Sequence, residues 1–142
     1  MLKLLIATVA VVFLSHAEAS AKPHKARYLT TDYGLIQPHP TGCPRRAFCG
    51  CGVSVKVFGY PIRNLFLAAN WLRFPRATPG PGMVAARRGH VMYIISYDGG
   101  GSATVYDPNS GGHKTRIHTR SLSGYRIVNP NANYAFLTEK KY

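Results

Sequence analysis

His90-Val91-Met92-Tyr93-Ile94-Ile95-Ser96-Tyr97, then Asp98-Gly99-Gly100-Gly101, then Ser102-Ala103-Thr104-Val105-Tyr106-Asp107 follow one another without a break and decide the fold class. The first run is β-branched and aromatic and alternates with period two, which sends successive side chains to opposite faces of a strand. The glycines after Asp98 give the chain the conformations of a tight hairpin turn, and the run from Ser102 returns. Further out, Met83 to Arg87 reads as a short strand and Asn109-Ser110-Gly111-Gly112 as a second turn. Lys114 to Thr119 and Tyr125 to Val128 read as two more strands before Asn129-Pro130.

The region before these strands is helical in pattern. Cys49 to Phe58 places Val53 and Val57 four and eight residues after Cys49 and stops at Gly59, a helix C-terminal signal. Gly50 and Gly52 each weaken that helix by about 1 kcal/mol relative to Ala, so packing against the rest of the molecule must hold it. Arg63 to Leu72 is predicted as a second helix, with Leu65, Ala68, Ala69 and Leu72 on one apolar face and Trp71 packing at its end. Pro75 and Pro79-Gly80-Pro81-Gly82 close this half. Two helices followed by about five antiparallel strands imply an α+β domain with the helices on one face of a curved sheet.

The N-terminus has a different character. Lys3, the apolar run Leu4 to Leu14 and the small residues of Ala17-Glu18-Ala19-Ser20-Ala21 have the layout of a secretory signal peptide over residues 1–21. The apolar run falls short of the ~20 residues a spanning helix needs, and no later segment reaches that length. Residues 22–44, rich in Pro, His, Thr and Lys, read as an extended lead-in arm, and residues 45–142 as one domain. The expected location is secreted or periplasmic. The chain carries 18 Lys and Arg against 5 Asp and Glu, a net charge of +13, which favours polyanions such as a cell-wall polymer. No helix-turn-helix, zinc-finger or RNA-recognition pattern appears, so nucleic acid is not the expected partner; a monomer is expected.

Three cysteines, Cys43, Cys49 and Cys51, remain in a compartment that favours disulfides, and an odd count leaves one thiol over. Pairing 43–49 or 43–51 closes a short loop, whereas 49–51 is strained by proximity in sequence; the 43–51 pairing would leave Cys49 free. The spacing departs from the Cys-x₂₋₄-Cys zinc ribbons, and neither a metal nor a cofactor is expected.

These residues stand in the order a thiol hydrolase needs. Cys49 lies at a helix N-terminus, a position that favours the thiolate, and Cys51 is the alternative nucleophile. His90 opens a strand and can serve as base and then acid. Asp107 and Asn109 lie two apart at the end of the neighbouring strand, so in an extended chain they share a face, and either can fix the tautomer of His90. The Cys49 backbone N–H can supply part of an oxyanion hole, worth roughly 3 kcal/mol per donor. Arg45, Arg46, Arg87 and Arg88 flank the nucleophile and base and are candidates for binding carboxylate-bearing peptides.

From Phe48 to Pro130 the chain resembles the CHAP domains, papain-like amidases and peptidases related to the NlpC-type cell-wall peptidases. The resemblance rests on Cys49 at a helix start, on Gly89-His90-Val91 after the Pro/Gly-rich turn, and on Asp107-Pro108-Asn109. The closing Tyr125-Arg126-Ile127-Val128-Asn129-Pro130 adds to it. Gly52 stands where the family usually has an aromatic residue, Asp107 where Glu is usual, and Gly82-Met83 where Gly-Asp is common. The resemblance implies a papain-like fold and an exported cysteine peptidase or amidase acting on peptidoglycan stem peptides. The alternative is a non-catalytic, basic envelope-binding protein.

Overall fold

The computed structural model describes residues 30–31 and 34–132. The segment read as a signal peptide and the first residues of the arm lie outside the described residues. Among the described residues seven strands form one sheet: β1 Thr30–Thr31, β2 Gly34–Gln37, β3 Val84–Arg87, β4 His90–Gly99, β5 Ser102–Ser110, β6 Lys114–Ser121 and β7 Arg126–Val128. Their order is β1-β2-β6-β5-β4-β3-β7, with every neighbouring pair antiparallel. The α-helix α1 spans Cys49–Phe58 and ends at Gly59 in the left-handed conformation, φ 83°.

The expected papain-like α+β arrangement, two helices on about five strands, is corrected in both parts. The sheet is larger because Gly34–Gln37, read as part of the arm, pairs with β6 through Leu35, Ile36 and Gln37. The second helix does not form: Arg63 to Leu72 is two 3-10 turns, Arg63–Leu65 and Ala68–Arg73. Side chains capture the backbone acceptors a continuous helix would use. The Trp71 indole donates to the Leu65 carbonyl at 2.9 Å, and the Asn70 amide donates to the carbonyl of Asn64. A side chain that competes for backbone carbonyls disfavours the regular ladder.

The alternation in the long hairpin buries both faces of the sheet. Val84, Ala86, Val91 and Val128 pack with α1 residue Val53 and with Leu65, Trp71 and Phe74. The intervening residues Ala85, Met92 and Ile94 join Ala103, Val105 and Leu122 in a second cluster. The strands are therefore apolar on both sides, and the polar residues on them stand out as functional candidates.

Two glycines let α1 approach its neighbours at backbone distance. A Cβ on Gly50 would lie 2.1 Å from the Leu65 carbonyl oxygen, and one on Gly52 would lie 2.5 Å from Pro108 Cβ. Pro108 reaches Gly52 because β5 is irregular there: the register with β6 breaks between Asp107 and Ser110. A proline cannot donate to a ladder, so a bulge is where a paired strand accommodates it.

Gly52→Ala should therefore destabilise the domain by roughly 1–3 kcal/mol through overpacking, although Ala is the better helix former by about 1 kcal/mol. Gly80→Ala, where a Cβ meets nothing within 4 Å, is the control. Urea denaturation of both variants checks this; a stabilised Gly52→Ala would contradict the close packing of Pro108 on α1.

Candidate active site

The first turn of α1 carries the only thiol left to the chain. Cys43 and Cys51 are joined in a disulfide, and Cys49 is free and 5% exposed. That bond removes Cys51 as alternative nucleophile and pins the residues before α1 to its first turn. Phe48, fully buried, precedes Cys49 and meets the His39 ring edge-on at 4.4 Å between centroids. Ala47 has φ 50°, a conformation costing a non-glycine residue roughly 1 kcal/mol, and it turns the chain into the helix. The first N–H groups of a helix lack intrahelical partners, so the backbone at Cys49 offers donors beside the sulfur.

His90, at the start of β4, is held by a buried carboxylate and lies near the free thiol. Its Nε2–H donates to Asp107 Oδ1 at 2.6 Å, and Cys49 lies near enough to help raise its pKa. With Nε2 engaged by the carboxylate, Nδ1 is the nitrogen left to face the sulfur. Asp107 is fully buried and does not depend on His90 alone. His118 Nε2–H donates to its other oxygen, Oδ2, at 2.8 Å, and an Arg120 nitrogen lies 3.5 Å from the same oxygen.

The sheet register explains how these groups meet. Val105 pairs with His118, Ala103 with Arg120 and Asp107 with Arg116. Residues opposite one another in an antiparallel pair share a face, so Asp107, Arg116, His118 and Arg120 rise on one side.

Burial and charge act against each other on both partners of the pair. Burial alone would lower the His90 pKa, but the hydrogen bonds and charges of Asp107 and Cys49 outweigh it and raise the pKa from 6.5 to about 9. Burial likewise would raise Asp107, and the hydrogen bond from His90, supported by its charge, His118 and Arg120, holds the carboxyl below its ordinary value. The resting pair at neutral pH is therefore a charged imidazolium on a carboxylate.

The remaining sequence candidates lie elsewhere. Asn109 is turned away from His90: it sits at φ 59° within the bulge, and its Oδ1 accepts from His113 Nδ1 at 3.1 Å. Arg45 and Arg46 are exposed on the bend before Phe48. Arg87 and Arg88 are exposed at the β3–β4 turn, with the Arg87 guanidinium 4.7 Å over the Tyr125 ring. His118 and Arg120 were missed as site residues, although Arg116-x-His118-x-Arg120 carries period two. Among the described residues no group of three or more His, Cys, Asp or Glu could hold a metal, and no helix is long and apolar enough to cross a membrane.

No family model matches the chain, and no curated protein or solved structure matches it. Nothing thus identifies the fold as papain-like or the chain as a CHAP or NlpC-type domain.

The His90–Asp107 pair fixes a pH dependence. A His whose folded pKa stands above 6.5 contributes stability in full below pH 6.5, and that stability is lost as pH rises through about 9. The displacement corresponds to on the order of 3 kcal/mol. Asp107→Asn should lower stability below pH 6.5 by a similar order and flatten the decline between pH 6.5 and 9; chemical denaturation across that range checks it. An unchanged slope in the variant would mean that Asp107 does not set the His90 charge.

Proposed function

We propose that the protein is a cysteine-dependent amide hydrolase. The observation that carries the reading is His90 placed between a free thiol and a buried carboxylate. In the reaction, the proton of Cys49 already stands on His90 Nδ1, and Sγ attacks the amide carbonyl carbon as the thiolate of that ion pair. The carbonyl oxygen becomes an oxyanion that the N–H groups at the start of α1 can receive. His90 then returns the proton to the leaving amine as the C–N bond breaks, which leaves a thioester on Cys49. Water attacks the thioester, its proton passing to His90; the C–S bond breaks, the acid departs and the thiolate–imidazolium pair is restored. Throughout, Asp107 holds Nε2–H, so Nδ1 remains the nitrogen that exchanges protons.

Peptidoglycan stem peptides are the proposed substrate and an exported location the proposed setting. The net charge of +13 supports association with an anionic wall, and the Cys43–Cys51 disulfide supports an oxidising compartment. Only Ala47 and Phe48 separate the exposed Arg45 and Arg46 from Cys49 along the chain, which suits a substrate bearing carboxylates.

Iodoacetamide applied to the folded, unreduced protein at about pH 6 to 7 should label Cys49, whereas an ordinary thiol reacts slowly there. Cys49→Ser should abolish peptide release from purified sacculi, by at least about 10³-fold, while the denaturation midpoint stays near that of the parent. Binding to sacculi with neither labelling nor peptide release would instead favour a non-catalytic envelope-binding protein.

A further inference from the structure

Beside the thiol site, on the far side of Asp107 from His90, a cavity of about 350 Å³ is lined by Ser110, Gly111, Arg116, His118 and Arg120. That volume falls within the range of small-molecule sites, and three of the five lining residues bear basic side chains. The period-two alternation of β6 sends all three to the same side of the sheet.

Their hydrogen-bonding capacity is only partly used. Arg116 spends one terminal nitrogen on the Ser110 and Gly111 carbonyls, at 2.7 and 2.6 Å, which fixes the guanidinium against the β5–β6 turn. Its Nε is buried with no partner. Arg120, 37% exposed, stands 3.5 Å from Asp107 Oδ2, beyond the 2.7–2.9 Å of a charge-assisted bond, and that oxygen is already taken by His118 at 2.8 Å. His118 uses Nε2 on Asp107 and keeps Nδ1.

Among the described residues, Asp107 is the one carboxylate that faces these cations. Among the described residues the only carboxylates are Asp98 and Asp107. Asp98 is engaged by Ser96 and Thr104, and Asp107 is shared by His90, His118 and Arg120. A cavity with one guanidinium fixed in place, and with more basic groups than the single carboxylate of Asp107 can answer, fits one ligand chemistry, a small oxyanion.

We propose that the Arg116–His118–Arg120 cavity is a binding site for an oxyanion group, the carboxylate or phosphate of a small ligand. The proposal concerns binding alone, so its failure would leave the hydrolase reading standing, and the converse holds. Inorganic phosphate and acetate are titrated separately into the full chain, and the His118 ring and the Gly111 and Arg116 amides are followed by NMR. Saturable shifts at these positions with phosphate only, with acetate only or with both would support the site and name its source. Arg120→Gln should weaken binding by about tenfold, the worth of one charge-assisted hydrogen bond, whereas the exposed Arg63→Gln should leave it unchanged. Shifts that never saturate, that miss these residues, or that Arg63→Gln weakens as much as Arg120→Gln would overturn the proposal and leave only diffuse attraction to a basic protein.

Discussion

A single buried carboxylate organises the centre of this molecule. Asp107 is fully buried, and an isolated ion in such a place carries a desolvation penalty of several kcal/mol. His90 on one oxygen and His118 on the other offset it, at 2.6 and 2.8 Å. Both contacts depend on the register of β4, β5 and β6; a slip by one residue would turn Asp107 to the opposite face and strand all three groups. The same carboxylate that fixes His90 against Cys49 thus locks the central strands of the sheet.

The helix that carries Cys49 is held to this centre by backbone proximity. Gly50 lies against the carbonyls of Leu65 and Phe66, and Gly52 against Pro108, one residue beyond Asp107. The glycines that lower the helix propensity of α1 are what allow it to sit close enough for Cys49 to meet His90. Gly52 is matched in this chain to Pro108. The disulfide between Cys43 and Cys51 fixes the same turn from the other side.

Much of this was legible in the sequence where pattern and physics agree. The hairpin from His90 to Asp107 follows its alternation, and α1 has the predicted bounds because Gly59 ends it. The second helix was not legible, since its failure comes from Trp71 and Asn70 reaching back for carbonyls that periodicity alone assigns to the ladder. Asn109 was placed beside Asp107 on the assumption of an unbroken pleat. Pro108 breaks that pleat, and the positive φ of Asn109 turns its side chain to His113. His118 and Arg120 carried a signal, period two along β6, but a basic stripe read in isolation resembles a solvated face. Only the pairing with β5 shows that it stands over a buried acid.

The coupling of His90 to Asp107 and Cys49 is tested most directly by NMR titration of the imidazole nitrogens in the folded protein. The predicted result is a His90 that keeps its Nε2 proton throughout and titrates at Nδ1 with a pKa of about 9. A His90 that titrates near 6.5, the value of a free imidazole, or that carries its neutral-state proton on Nδ1, would contradict a thiol–imidazole–carboxylate site.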